Sequence, residues 1–330
     1  MKRLVVAPNW VGDCVMAIPF LRALRASDPS GRLAVLSRAS AAPVLRMTGL
    51  AEVLVASRGR GPGALLGDAR LVGRARFDEV WVLPNSFRSA LLARLAGAPK
   101  RFGYATDRRR FLLTQSPAKP AATRHQSRDY DRLLEEGGIA PDPNPPRLEV
   151  PPEAARKAAQ YLDSYRIGEA SRPIFLSPGA AFGATKRWPA ERFALLADAL
   201  MDEGHKLALT IGPDEIELGR LIARRARHRV PVMGADLDSG ELAAVLAAGR
   251  LHVGNDSGPA HLAAAVGVPT VVFFGPTDPG RTAPEGAPVS VLDRYVFCSP
   301  CYLKVCPYRH ECMEEISVEA ALSAARQFLC

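Results

Sequence analysis

Seven short apolar runs, at residues 2–7, 32–36, 79–83, 173–176, 206–211, 251–253 and 270–274, each end at Ser, Pro or Gly. Stretches of helical periodicity lie between them. Val15, Ile18, Leu21 and Leu24 recur at helical spacing, and helices are expected at 153–164, 190–202, 215–226, 240–248 and 259–266. Strands that alternate with helices specify parallel sheets covered on both faces, the α/β class. Such sheets place their ligands beyond the carboxyl ends of the strands. The loops that follow the strands are therefore where chemistry is to be sought.

Residues 137–152 read GGIAPDPNPPRLEVPP, with six prolines in sixteen positions. Proline lacks the N–H that a helix or a central strand requires, so this segment reads as a joint between two domains. The expected division is 1–150 and 151–317, with a terminal helix at 318–330. A chain of 330 residues is long enough for two such domains.

The net charge of +9 is concentrated in the first domain. Residues 1–150 hold 24 Lys and Arg against 13 Asp and Glu (+11), and residues 151–330 hold 19 against 21 (−2). Arg58, Arg60, Lys100, Arg101 and Arg108 to Arg110 contribute to the excess. A basic first half predicts an anionic partner: nucleic acid, a phosphorylated lipid or an anionic membrane surface. No apolar stretch approaches the roughly 20 residues needed to span a bilayer. Lys2 and Arg3 precede too short an apolar run for a secretory signal. A cytoplasmic protein with reduced thiols is expected.

Five loops carry candidate chemistry. In Pro8-Asn9-Trp10-Val11-Gly12-Asp13, the carboxylate is either a helix N-cap or a general base at the end of a strand. Ser86 and Arg88, within Pro84-Asn85-Ser86-Phe87-Arg88-Ser89, offer polar groups after another strand. Residues 177–189, SPGAAFGATKRWP, join small residues that admit a phosphate to Lys186 and Arg187, which would neutralise a diphosphate. The P-loop spacing is absent. Gly254-Asn255-Asp256-Ser257-Gly258-Pro259-Ala260-His261 opens a helix whose free N–H groups suit an anion. Its plainer reading makes Asp256 or Ser257 a cap and His261 a core residue. Phe274-Gly275-Pro276-Thr277-Asp278 exposes Thr277 after the last strand. Separately, Cys298, Cys301, Cys306 and Cys312 fall within fifteen residues, as free thiols or as a small metal site, with His310 as a rival ligand. Cys14 and Cys330 stand apart.

The ordered set PNWVGD (8–13), LPNSFRSAL (83–91), PGAAFGATKRWP (178–189), NDSGPAHLAAA (255–265) and FGPTDP (274–279) resembles the ADP-heptose:lipopolysaccharide heptosyltransferases, most nearly the heptosyltransferase II type of glycosyltransferase family 9. The resemblance implies a GT-B fold, two Rossmann-like domains facing a central cleft. The basic domain would bind the phosphorylated Kdo–lipid A core at the inner membrane leaflet, through Ser86, Arg88 and Arg108, with no nucleic acid involved. The other domain would bind ADP-heptose through Lys186, Arg187, Asp256, Ser257, Gly258, His261 and Thr277, with Gly12 contributing from the first domain. It further implies Asp13 as catalytic base, Glu215 or Glu217 on the ribose (Glu217 preferred), Leu237 against adenine, and a final helix crossing back to the first domain. No cofactor is implied. Where relatives carry hydroxyls early in the phosphate loop, this chain has Ala181 and Phe182. The rival readings are a transferase for another core acceptor and a binding module without transfer activity.

Overall fold

The computed structural model describes residues 1–59, 61–121, 124–168 and 171–329. Arg60 and Cys330 lie outside the described residues. The chain divides into two compact units, Met1–Pro146 and Arg147–Cys330, and the division falls inside the proline-rich segment.

The first unit holds a parallel sheet of β1 (Lys2–Val6), β2 (Arg32–Ser37), β3 (Glu52–Val55), β4 (Glu79–Val82) and β5 (Lys100–Phe102), in the order β3-β2-β1-β4-β5. The second holds β6 (Ile174–Ser177), β7 (Leu207–Thr210), β8 (Val232–Met233), β9 (Leu251–Asn255), β10 (Thr270–Phe274) and β11 (Val289–Asp293), in the order β11-β10-β9-β6-β7-β8. Every strand pair is parallel. The order of strands reverses between β1 and β4 in one sheet and between β6 and β9 in the other. Those are the points where flanking loops part and leave room for a ligand.

The seven expected strands are the seven central ones. The four that hydropathy did not suggest, β3, β5, β8 and β11, are the four sheet edges. A central parallel strand is covered on both faces and reads as continuous apolar sequence. An edge strand is short or half-exposed: β5 is Lys-Arg-Phe, and β8 has two residues.

The first helical stretch also differs from expectation. It is two helices, Val11–Met16 and Ile18–Ser27, which break at Ala17. Pro19 has no N–H for the Val15 carbonyl and its ring crowds that oxygen, so the helix restarts with proline in its first turn.

The first core gathers around Trp81, fully buried, stacked on Phe102 at 3.9 Å and met edge-on by Phe20. The second centres on Trp188, Phe193 and Phe273. The last helix, Val318–Arg326, lays Ala321, Ala324 and Ala325 into that second core, against the helix Ala190–Asp202. Its apolar face is thus taken up within the second unit. Among the described residues no helix is long and apolar enough to cross a membrane.

Candidate active site

In the first unit, β1 delivers the chain to Asp13. The carboxylate is not a cap: Trp10 occupies the N-cap position, and Asp13 sits in the first turn, half-buried. The amide of Gln126 donates to its Oδ1 at 3.3 Å. Burial, reinforced by the Asp13 charge, pushes the Cys14 thiol and the Tyr130 phenol well above their usual ranges. Both neighbours keep their protons at neutral pH. Gly12 is buried beside it.

Beyond the carboxyl ends of β1, β2 and β4 lies a cavity of about 330 Å³, lined by Asn9, Arg38, Ser57, Ser86 and Arg88 among others. Ser86 caps the helix Phe87–Leu95. Arg38 donates to Asn9 Oδ1 at 2.8 Å. Arg108 is exposed in a left-handed turn and is not in this lining.

In the second unit, the loops after β6, β9 and β10 converge. The ammonium of Lys186 donates to Asp256 Oδ2, and also to the Asp256 carbonyl at 3.3 Å. Thr277 donates its hydroxyl to the same carboxylate oxygen at 2.7 Å. His261 Nε2 lies 3.9 Å from the other oxygen. Asp256 is nearly fully buried, and its charge is tolerated because Lys186 and Thr277 satisfy it. Asn255 ties the loops together: its carbonyl accepts from Trp188 N at 2.9 Å, and its amide donates to Pro178 O at 2.8 Å. Trp188, buried and donating Nε1 to Ile316 O at 2.9 Å, anchors the far end of the loop. Ser257 precedes the helix Gly258–Ala265 in extended conformation and makes no side-chain cap. Its Oγ is buried with no hydrogen-bond partner among the described residues. Pro259 has no N–H and Ala260 N donates to Ser257 O at 3.1 Å, so this helix start can offer an anion the Gly258 N–H, the Ser257 hydroxyl and its dipole.

A glycosyltransferase family 9 (heptosyltransferase) model matches residues 69–311. The chain belongs to glycosyltransferase family 9. It is 32% identical to lipopolysaccharide heptosyltransferase 2 of Escherichia coli K12 over 86% of this chain and 85% of that one. The solved structure of E. coli ADP-heptose LPS heptosyltransferase II matches with TM-score 0.84 at 26% identity, covering 100% of this chain and 98% of the other. A family 9 glycosyltransferase from Veillonella parvula matches with TM-score 0.89 at 27% identity, covering 99% and 97%. The fold is GT-B, and the chain is a glycosyltransferase.

Three features of this family 9 enzyme depart from the sequence reading. Glu217 is on the solvent side of its helix, paired with Arg220 at 2.7 Å. Glu215 takes the inner place: it accepts from Gly212 N at 3.0 Å, faces Arg187 at 3.6 Å, and presses so closely on Gly179 that a Cβ there would stand 1.8 Å from its Oε2. The two stand two residues apart, about 200° around a helix, and spacing alone could not choose. Leu237 is half-buried in the turn after β8.

Arg109, counted among the basic residues awaiting an anion, is fully buried. It donates to the carbonyls of Tyr104, Pro84 and Ser86 and to Ser89 Oγ. It braces the 84–89 loop that carries Ser86 and Arg88. Burial lowers its pKa to about 10, so it remains charged at neutral pH.

Sequence reasoning also missed a polar chain beneath the second site. His252 Nε2 meets Ser177 Oγ at 2.9 Å, and Ser177 Oγ meets Thr210 Oγ1 at 2.6 Å, across β9, β6 and β7. Burial depresses the His252 pKa to about 3, which keeps the ring neutral.

Proposed function

We propose that this enzyme transfers L-glycero-D-manno-heptose from ADP-heptose to the heptosyl-Kdo2-lipid A inner core, with inversion, at the cytoplasmic face of the inner membrane. The observation that carries the donor half is the Lys186–Asp256–Thr277 cluster at the strand-order reversal of the second sheet. Asp256 holds the ammonium in place before substrate arrives, so little reorganisation is required when the diphosphate binds. Ser257 Oγ, the Gly258 N–H that opens the helix Gly258–Ala265, and Arg187 complete the contacts to phosphate. Glu215 is the acid assigned to the ribose, and Leu237 borders the adenine.

In the reaction, Asp13 removes the proton from the acceptor heptose hydroxyl as its oxygen attacks the anomeric carbon. The bond to ADP breaks on the opposite face, so one displacement inverts configuration. The charge that develops on ADP is taken up by Lys186 and the helix start. Ser86, Arg88 and Arg108 are assigned to the acceptor. The 330 Å³ cavity supports this for the first two, and the excess positive charge of residues 1–150 suits a phosphorylated lipid at a membrane surface.

Product analysis tests the acceptor assignment. Purified enzyme is given ADP-heptose with Kdo2-lipid A that either carries or lacks the first heptose, without added Mg²⁺ or Mn²⁺. ADP release and a product one heptose heavier are expected only with the heptosylated acceptor. Transfer to the bare acceptor would assign a different step, and tight ADP-heptose binding with no transfer to either would reduce the chain to a binding module.

A further inference from the structure

Residues 294–310, between β11 and the short helix Glu311–Glu314, form neither helix nor strand. Their large apolar side chains point outward: Phe297 and Val305 are each 81% exposed, and Tyr295 is 75% exposed. A segment without a ladder of hydrogen bonds or an inward apolar face needs another source of order. Yet it is tied closely to the donor loops. Thr185 Oγ1 donates to Leu303 O at 2.7 Å, His310 Nε2 contacts Thr185 O at 2.6 Å, and Tyr302 N donates to Pro276 O at 2.8 Å.

What this segment turns inward is sulfur. Cys298, Cys301, Cys306 and Cys312 all line one cavity of about 10 Å³, room for about one water-sized sphere. All four are free thiols. His310 also lines this cavity, with Nε2 engaged by the Thr185 carbonyl at 2.6 Å, but the four thiols make up a complete tetrahedral set without it. No Asp or Glu lies between Asp293 and Glu311, whereas Arg294, Lys304 and Arg309 do.

We propose that Cys298, Cys301, Cys306 and Cys312 bind one thiophilic divalent cation, Zn²⁺ or Fe²⁺, in a tetrathiolate site that staples residues 294–312 against the donor loops. Binding exchanges four thiol protons for one M²⁺ and leaves a net charge of −2, which the neighbouring cations offset. Among the described residues no group of three or more His, Cys, Asp or Glu side chains is placed, as it stands, to hold a metal ion. The thiols must therefore turn inward from the walls they share. The role is structural, because four sulfurs close a tetrahedral shell and leave no position for substrate. This inference stands independently of the acceptor and donor proposed above.

The test is elemental analysis of the full chain purified under reducing conditions, together with Co²⁺ reconstitution. About one Zn or Fe per chain is expected, in the wild type and in Cys14→Ser alike. Strong thiolate-to-cobalt charge-transfer absorption is expected on Co²⁺ loading, and four of the six thiols should resist a thiol reagent until the metal is removed. Cys301→Ser and Cys306→Ser, both at half-exposed positions, should lose the metal. A reduced wild-type chain that carries no metal and takes up neither Zn²⁺ nor Co²⁺ would overturn the proposal, whether or not the variants fold. So would undiminished metal in both serine variants, or recovery of the cysteines as disulfides.

Discussion

At the residue scale the second site depends on a buried ion pair. Removing Lys186 would take its ammonium from the buried Asp256 carboxylate, to which Thr277 still donates. Lys186→Met is expected to lose a charge-assisted contact to the diphosphate, about 1.5–3 kcal/mol, or roughly 10- to 150-fold in donor affinity by calorimetry. Donor affinity equal to wild type would remove Lys186 from the site. His252 gives a pH signature with a definite sign. Its folded pKa of about 3 lies below the ordinary 6.5, so the unfolded chain takes up this proton first as pH falls. Stability should therefore decline between pH 6.5 and about 3, by up to about 1.4 kcal/mol per unit from this group. Denaturant titrations of the wild type and His252→Gln would show it: the variant should have a shallower slope across that window, and identical slopes would contradict the assignment. These residues also mark how far the sequence can be read. Lys186, Asp256 and Thr277 were legible because loop chemistry after a strand is local. The burial of Arg109 and the different surroundings of Glu215 and Glu217 were not, because they are set by which backbone lies across from each side chain, and neighbours in sequence do not report that.

At the element scale, the loop after β4 keeps its shape through Arg109, whose planar fork serves three carbonyls and a hydroxyl. Lysine has the charge but not the fork. Arg109→Lys should cost about 2 kcal/mol of stability and raise the acceptor KM while donor affinity stays unchanged. A donor effect of equal size would indicate general unfolding instead. Gly254 marks another constraint: where β9 pairs with β6 opposite Ser177, an added Cβ would meet the Ser177 carbonyl at 2.7 Å. Gly254→Ala should lower stability by about 1–3 kcal/mol, since the obstacle is backbone and cannot swing aside. An unchanged denaturation midpoint would show that the strand yields freely. Hydropathy revealed the central strands and stopped at the edges for a physical reason. β3, β8 and β11 each border another strand on one side alone, and β5 meets on its outer side just the short stretch at Thr114 and Gln115, so burial no longer demands continuous apolar sequence. The break between Val11–Met16 and Ile18–Ser27 was written in Pro19, whereas the start of the first helix at Val11, with Trp10 as N-cap, is what puts Asp13 in a first turn and not at a cap.

At the scale of the whole molecule, charge and chemistry are apportioned between two units of the same architecture. One is strongly basic and carries the carboxylate of Asp13; the other is near neutral and carries the cation–helix site. A partner held by distributed surface charge is screened by salt, whereas a ligand held by buried pairs is screened less. Raising ionic strength should accordingly weaken kcat/KM for the lipid acceptor more than it weakens ADP-heptose binding. Proportional loss of both would place the basic excess outside acceptor recognition. The central claim is that Asp13 supplies the base while the second unit independently holds the donor. It is tested most directly by single-turnover ADP release from Asp13→Asn at saturating ADP-heptose and acceptor, with donor affinity measured on the same preparation. The account predicts a rate about 10² to 10⁴ below wild type with donor affinity intact. A rate near that of the wild type would contradict it.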